Sequence, residues 1–304
     1  MINGKNTGLK RKILYVCNMK ICVIGGANAD ITATCLNSYV PNDSNPGTIR
    51  LTPGGVARNI AHNLALLGDD VVFLTIFGGD TFGLFTADSC RRVKIDISLC
   101  DTAPVGVRSC FVSLNDQNGE MIGGVSDMDS VDGITPVWLA TKLSKVGPVD
   151  AYVADANLPV ETLAYLIDFA DVPLYLDAVS SLKAPKIKKA LRMSTRKSFF
   201  TLKCNSMEAA LFNRTRGAER MFCSNGEAGV TVKVKQKETL FEAAPCKVVN
   251  AIGAGDAMMA GIVHAGPQAS IEEAAAIGLR CAKITVESPD TVNPRLKELY
   301  EQLS

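Results

Sequence analysis

A glycine-rich turn between a strand and an apolar helix carries the residues whose chemistry is easiest to interpret. Residues 248–265 read VVNAIGAGDAMMAGIVHA, so Gly253, Ala254 and Gly255 lead directly into Asp256. Glycine lets a ligand approach the backbone closely, and the amides at a helix N-terminus favour an anion. A carboxylate there can take a proton from a hydroxyl while the amides hold a phosphoryl group. The alternative is an acidic residue placed in a first helical turn only because the helix dipole favours it.

A second glycine pair also leads into a helix. Residues 52–68 read TPGGVARNIAHNLALLG, in which apolar residues recur at helical spacing after Gly54 and Gly55. Asn59 lies one turn into this helix, near the glycine backbone. Its amide can both donate and accept hydrogen bonds, which suits recognition of a sugar hydroxyl.

Together the two segments resemble the signatures of the PfkB (ribokinase-like) family of carbohydrate and nucleoside kinases. The first signature is carried by Gly54, Gly55, Asn59, Ala61, Gly68 and Gly78, and the second by GAGD at 253–256. The resemblance extends from about residue 19 to the C-terminus. It implies ATP-dependent phosphorylation of a sugar hydroxyl, with Asp256 as the base. The backbone of Gly253, Ala254 and Gly255 would stabilise the transferred phosphoryl group.

The resemblance also assigns a sugar site. Asp30 follows the apolar strand KICVIGG, at the edge of an α/β sheet where ligands bind. In the family an acidic residue at this position grips sugar hydroxyls, so Asp30 is expected to bind substrate with Gly54, Gly55 and Asn59. The alternative is an ordinary loop aspartate.

For the nucleotide, the resemblance points first to KCNSME at 203–208. Asn205 and Glu208 match the family's N-x-x-E element, which organises the hydration shell of Mg²⁺ and the phosphates. A hard, hydrated cation suits oxygen ligands of this kind, often through water. The two residues could instead, or also, form a helix-capping box.

Further nucleotide contacts are implied by the resemblance alone. Asn225, Gly226 and Gly229 lie where the family places a glycine loop against the nucleotide, and Asn293 is expected near the adenine base. Many relatives carry DTxGAGD, whose aspartate and threonine belong to a monovalent-cation loop. Here residues 250–252 read Asn-Ala-Ile, so no strong monovalent-cation site is predicted.

The elements that must position these residues alternate between strand and helix. Apolar strands are predicted at AYVAD (151–155), PLYLD (173–177), KSFFTLK (197–203) and RMFC (220–223). This alternation favours an α/β fold: a doubly wound, mostly parallel sheet covered by helices on both faces. Only residues 209–219 separate the N-x-x-E element from the next strand, which is short for a parallel crossover and predicts a truncated helix.

Two excursions interrupt the alternation, at about 31–51 and 105–125, and are expected to pair into a small β-sheet. The resemblance makes this sheet a lid over the sugar site and, in many family members, a dimer contact. One kinase domain is predicted over 19–304, after a polar lead at 1–18.

Composition limits the other possibilities. The 304 residues include 47% hydrophobic and 21% charged residues, with a net charge of +1, so no basic patch argues for nucleic acid. No apolar run has the length of a membrane span, and no signal peptide is recognised. The ten cysteines are scattered, which favours buried thiols and a reducing, cytoplasmic location.

The identity of the acceptor depends on one segment. Residues 43–68 resemble the branch of the family that acts on pseudouridine, which implies the ribose 5′-hydroxyl as acceptor. Asn45, Thr48 and Arg50 could pair with a uracil edge, or the segment could be rich in turn formers only. The alternatives are a ribokinase- or fructokinase-like enzyme and a non-catalytic sugar or nucleotide sensor. A Rossmann-type dehydrogenase is disfavoured because no G-x-G-x-x-G follows the first strand.

Overall fold

The computed structural model describes residues 18–212 and 217–303, in which the chain forms fourteen β-strands and nine α-helices. The strands are β1 (Lys20–Ile24), β2 (Asn28–Cys35), β3 (Gly47–Gly54), β4 (Asp70–Leu74), β5 (Ile76–Gly79), β6 (Asp101–Val105), β7 (Cys110–Asn115), β8 (Met121–Asp127), β9 (Ala151–Asp155), β10 (Leu174–Asp177), β11 (Phe199–Asn205), β12 (Ala218–Ser224), β13 (Val230–Val234) and β14 (Lys237–Phe241). The helices are α1 (Val56–Leu66), α2 (Thr81–Arg92), α3 (Pro136–Val146), α4 (Val160–Phe169), α5 (Pro185–Met193), α6 (Ser206–Phe212), α7 (Ala254–His264), α8 (Ile271–Val286) and α9 (Leu296–Leu303).

The main sheet has eight strands in the order β14-β13-β12-β11-β10-β9-β1-β4. From β12 to β4 neighbouring strands are parallel, and β13 and β14 add an antiparallel hairpin at one edge. Successive side chains of a strand point to opposite faces. In β1, Ile21 and Val23 accordingly join a core beneath α1, α7 and α8, while Cys22 and Ile24 join a core beneath α3, α4 and α5. The predicted doubly wound α/β fold is confirmed.

A separate four-stranded sheet, in the order β3-β2-β7-β8, lies beside the main one. It is called the small sheet below. The prediction of a small second sheet built from two excursions is confirmed, although the second excursion begins at Cys110 and not at 105. Residues 101–105 pair instead with β5 in a third, two-stranded sheet. Several apolar side chains of the small sheet are exposed, among them Ile49 (78%), Val125 (69%) and Met121 (64%).

The structure differs from the sequence prediction in other places. The sequence predicts a helix from about Asp256 onward, but α7 begins at Ala254, because the backbone of Gly253 already turns into it. The β13–β14 hairpin was not predicted, although Val230, Val232 and Val234 alternate with polar residues as a half-buried strand should. In the short crossover, α6 has seven residues, and 213–216 lie outside the described residues. The predicted lead at 1–18 also lies outside them, apart from residue 18.

Two expectations about the surface and the thiols can be examined directly. Among the described helices, none combines the length and the apolar character needed to cross a membrane. Cys22, Cys110 and Cys223, which the sequence assigns to apolar strands, are all buried free thiols.

Candidate active site

Polar side chains, of which Asp30 and Asn205 were predicted as site residues, gather at the carboxyl edge of the main sheet. Asp155 and Asp177 are the last residues of β9 and β10, and Asn205 is the last residue of β11. The segment after β1 carries Asp30 into the small sheet. Because parallel strands end at the same edge, residues far apart in sequence meet there, as expected for a ligand site in an α/β sheet.

The two glycines of the GAGD turn are required for different reasons. Gly253 precedes α7 with a φ of 85°, and a Cβ there would lie 2.0 Å from the Thr291 carbonyl oxygen. Gly255 has no such strain, but a Cβ on it would lie 2.5 Å from the Lys203 ammonium nitrogen. The Ala254 amide donates to the Ala251 carbonyl at 3.4 Å, whereas the amides of Gly255 and Asp256 lie in the first turn of α7, where backbone donors lack intrahelical partners. The turn therefore places these two amides beside a cation.

Asp256 lies in the first turn of α7 and is 8% exposed. Its Oδ2 accepts a hydrogen bond of 2.7 Å from Nδ2 of Asn59 on α1. Burial raises the pKa of Asp256 to about 7, and the nearby Asp177 carboxylate contributes to the rise, while Lys203 and Asn59 oppose the shift. A carboxyl group that titrates near neutral pH is suited to general-base catalysis.

Lys203 forms the charged centre of the site and was not predicted from the sequence. Its Nζ lies 3.1 Å from Oδ2 of Asp177, and the two side chains are 10% and 1% exposed. Burial alone would lower the pKa of Lys203, but the carboxylates of Asp177 and Asp256 raise it, so the ammonium stays charged. The available signal was a lysine at the end of a predicted apolar strand, two residues before Asn205.

The predicted sugar-binding residues lie around the start of α1, where Asn59 reaches Asp256. A Cβ on Gly54 would lie 2.0 Å from Oδ2 of Asp30, so only glycine allows this carboxylate to pack against β3. Asn28 donates a hydrogen bond to the other Asp30 oxygen, and burial raises the pKa of Asp30. Gly55 has a φ of 96° at the start of α1 and packs against the Gly26 carbonyl.

Two buried charged residues hold this region, and both escaped the sequence interpretation. Asp155 accepts hydrogen bonds from the amides of Gly26 (3.3 Å), Ala57 (2.9 Å) and Asn157 (2.9 Å). It thereby ties the loop after β1 to the N-terminus of α1. Arg58 on α1 is 1% exposed and donates from Nε to the Gly54 carbonyl at 3.2 Å. Inside an apolar helical pattern, a single arginine gives little sign of burial.

Asn205 and Glu208 form the reciprocal hydrogen bonds of a capping box. The Glu208 carboxylate accepts from the Asn205 amide nitrogen at 2.9 Å and from its Nδ2 at 2.7 Å, while the Glu208 amide donates to Asn205 Oδ1 at 2.9 Å. Burial raises the pKa of Glu208, which is 2% exposed. Across residues 18–212 and 217–303, no cluster of three or more histidine, cysteine or acidic side chains is arranged to hold a metal.

The remaining nucleotide predictions fall on two loops. Asn225, Gly226 and Gly229 form the turn between β12 and β13, where Asn225 Nδ2 donates to Thr231 Oγ1 at 2.8 Å. Gly226 and Gly229 have positive φ angles of 60° and 103°. Asn293 is 5% exposed, donates to the Ile284 carbonyl at 2.6 Å and accepts from an amide, which favours a structural role.

The segment expected to read a uracil edge uses its polar groups locally. Asn45 exchanges hydrogen bonds with the backbone of Val40 in its own loop, as a turn former does. Arg50 forms an ion pair with Asp290, and both side chains are about half exposed. Asn250, in the loop compared above with a cation loop, donates to the Pro289 carbonyl at 3.1 Å.

Comparison with known proteins identifies the family. The model of the pfkB family carbohydrate kinases matches residues 18–298. The pseudouridine kinase of Escherichia coli K12 is 33% identical over 91% of this chain and 93% of that protein. The ribokinase of Bacillus subtilis 168 is 25% identical over 88% of this chain and 92% of that protein.

A solved structure shows the same fold. The Arabidopsis thaliana ribokinase, solved with ribose and ATP, superposes with a TM-score of 0.77 at 16% identity, over 94% of this chain and 99% of that one. The family match spans both glycine turns and the sheet edge between them. The chain belongs to the pfkB family of carbohydrate kinases.

Proposed function

We propose that this chain transfers the γ-phosphoryl group of ATP to the ribose 5′-hydroxyl of pseudouridine. The observation that carries the kinase proposal is the setting of Asp256. A buried carboxylate with a pKa near 7 lies in the first turn of α7, beside the first backbone amides of that helix and the Lys203 ammonium. A site that only bound its ligand would have no need of a carboxylate tuned to accept a proton.

The chemistry follows from this arrangement. Asp256 accepts the proton of the attacking hydroxyl, so it must be ionised when the acceptor binds. The first amides of α7 and the Lys203 ammonium stabilise negative charge on the transferred phosphoryl group. Phosphoryl transfer depends mainly on positioning and charge, so few reactive side chains are needed. Asp30, Gly54, Gly55 and Asn59 hold the sugar with its hydroxyl towards Asp256.

ATP requires a divalent cation, for which we propose Mg²⁺. Asn205 and Glu208 offer oxygen ligands at the end of β11, but their hydrogen bonds to each other fit contact through water and not direct ligation. When bound, the cation would neutralise phosphate charge. Asn225, Gly226 and Gly229 stay predicted as nucleotide contacts, whereas the hydrogen bonds of Asn293 do not support its predicted contact with the base. A strong monovalent-cation site is not proposed.

Pseudouridine is favoured as the acceptor by sequence similarity. The E. coli pseudouridine kinase matches at 33% identity over nearly the whole chain, whereas the ribokinase matches at 25%. The local hydrogen bonds of Asn45 mean that this residue does not support base recognition. Arg50 still supports base recognition, because it lies in the segment that resembles the pseudouridine branch. It and its ion-pair partner Asp290 are both about half exposed, so the pair is open to a ligand. A ribokinase-like enzyme acting on a free sugar is therefore the alternative.

The test is an ATP-turnover screen of pseudouridine, uridine, adenosine, ribose and fructose. A site that pairs with the base should reject bare sugars by orders of magnitude, because its polar groups would stay unpaired. Equal kcat/KM for ribose and pseudouridine would disprove the nucleoside proposal and leave the sugar-kinase one. Thermal stabilisation by ligands without ATP turnover would instead identify a sensor.

The small sheet suggests how the site is covered and how chains associate. We propose that it acts as a lid within one kinase domain over 19–304. Its exposed Ile49, Met121 and Val125 suit contact with the same sheet of a second chain. Sedimentation of the wild type and of an Ile49→Lys variant tests this proposal, since the variant should be monomeric.

A further inference from the structure

A buried arginine on α1 contacts the side chain that binds the proposed catalytic carboxylate. Arg58 is 1% exposed, yet none of the ion pairs found within the described ranges includes its guanidinium. A buried cation without a paired anion is costly. Charged groups held in this way are common at functional sites. The hydrogen bonds of Arg58 show what its charge does.

The guanidinium determines the orientation of its neighbours. It donates to the carbonyl oxygens of Gly54 and Pro53 and to Oδ1 of Asn59, and Nη1 lies 3.1 Å from Nδ1 of His62. Arginine has only donors, so the Asn59 atom that faces it must be the oxygen. Likewise, His62 must accept through Nδ1, and burial with the Arg58 charge lowers the pKa of His62 to about 3, which keeps the ring neutral.

The orientation of Asn59 then decides what Asp256 meets. With Oδ1 directed at Arg58, Nδ2 is left to donate to Asp256 Oδ2 at 2.7 Å. If the amide turned by half a rotation, its oxygen would face the carboxylate and repel it. Within the described chain, Asn59 is the residue that donates a hydrogen bond to Asp256, so Oδ1 of Asp256 stays available to an acceptor hydroxyl.

We infer that Arg58 is a positioning residue for the phosphoryl-transfer reaction, acting on Asp256 through the amide of Asn59. The inference rests on the proposed function, in which Asp256 is the base. It gives Asn59 a role in orienting the base in addition to any contact with the sugar. The other charged groups that face Asp256 are Asp177 on β10 and Lys203 on β11.

Substitution of Arg58 should affect both rate and pH dependence. The Arg58 charge opposes the effect of burial on the pKa of Asp256. In Arg58→Gln the pKa of Asp256 therefore rises, and the acidic limb of the pH–kcat profile moves to higher pH. At neutral pH kcat falls about 10–100-fold, because the base is both protonated and misplaced. Arg58→Lys keeps the charge but not the planar fork, so its acidic limb stays near wild type while kcat remains reduced.

A double-mutant cycle separates action through Asn59 from a general effect on folding. If Arg58 acts through Asn59, adding Arg58→Gln to Asn59→Ala should lower kcat by less than about threefold on the alkaline plateau, where Asp256 is ionised in every variant. Multiplying effects in the double variant would overturn the inference. His62→Ala is the matched control, since it removes a partner of Arg58 without touching Asn59, and it should keep the wild-type pH profile.

A second readout does not depend on turnover. Carbon-13 NMR of aspartate carboxyl groups, assigned with Asp256→Asn, follows the titration of Asp256 directly. A midpoint that rises less when Arg58→Gln is added to Asn59→Ala than when it is added to the wild type supports the inference even if no acceptor is phosphorylated, in which case only the proposed function fails. A folded Arg58→Gln with an unchanged midpoint and acidic limb overturns it. Should Arg58→Gln fail to fold, Arg58→Lys decides, because wild-type kcat in that variant would equally overturn the inference.

Discussion

Replacing Lys203 with methionine should reveal two separate contributions of its buried ammonium. Lys203 lies 3.1 Å from the Asp177 carboxylate, and the side chains are 10% and 1% exposed. Methionine has a similar length but leaves Asp177 buried without its partner. Breaking a buried ion pair on one side costs about 3–5 kcal/mol. With an unfolding entropy of about 2.1 cal/mol/K per residue, Tm should fall by about 5–8 °C.

The same substitution removes positive charge beside the amides of α7. Loss of one preorganised group that stabilises a transition-state anion typically lowers kcat by about 10²–10³-fold. Adding Asp177→Asn to Lys203→Met removes the carboxylate that the first substitution leaves unpaired. Asparagine also keeps an oxygen to accept from the Val179 amide, which donates to Asp177 at 2.8 Å. The double variant should therefore recover most of the lost Tm but not the lost kcat.

The assay combines thermal unfolding with ATP turnover on the best acceptor of the screen. Lys142→Met is the matched control, because it breaks a 2.7 Å ion pair with Asp101 that is more exposed and lies outside the site. That control should lose about 1 kcal/mol or less and keep its kcat. The reasoning is refuted if Lys203→Met keeps kcat within about threefold of wild type, or if the double variant regains kcat together with Tm.

Two further substitutions test the base and the sugar grip. Asp256→Asn should lower kcat by about 10²–10⁴-fold while the Kd for ATP persists. Burial raises the pKa of Asp256 from 3.8 to about 7, so the folded state loses stability as the pH rises from about 4 through 7. The Asp256→Asn variant should therefore have a higher Tm than wild type at pH 8 and a similar one at pH 4, and the reverse order would contradict the assigned pKa. Asp30→Ala should weaken sugar binding by about 1–3 kcal/mol of free energy, which raises the sugar KM, and should leave the KM for ATP nearly unchanged. Equal effects on both substrates would mean that Asp30 supports the fold and does not bind the sugar.

The parts of the site that could be predicted are those in which backbone geometry restricts the residue type. Gly253 and Gly55 adopt positive φ angles, and Gly54 and Gly255 leave no room for a Cβ. Each restriction fixes a glycine at one position of a short motif, so it is visible in one sequence. Asp256 was found because it stands beside such glycines, and the strands of the main sheet because their apolar runs were long.

The charged residues behind the glycines left no comparable signal. Lys203 and Asp177 are separated by a strand crossover, and only the pairing of β10 with β11 brings them together. Arg58 is buried on α1, but the sequence around a solvent-exposed arginine on a helix would look the same. Strand β13 of the unpredicted hairpin does carry a signal, because its valines alternate with polar residues. The sequence could not show which strands and helices pack against each other, and this packing decides whether a charged side chain is buried.

The buried charges also account for the composition of the site as a whole. Asp256 has a raised pKa because burial and Asp177 disfavour its ionised form, and Lys203 and Arg58 oppose them. A base with no cations near it would stay protonated at neutral pH, while one fully paired with a lysine would be too weak to take a proton. The observed balance places the pKa of Asp256 at about 7, between those limits. In the proposed reaction this carboxylate must both gain and lose a proton, and the buried cations Lys203 and Arg58 lower its pKa towards the range in which it can do so.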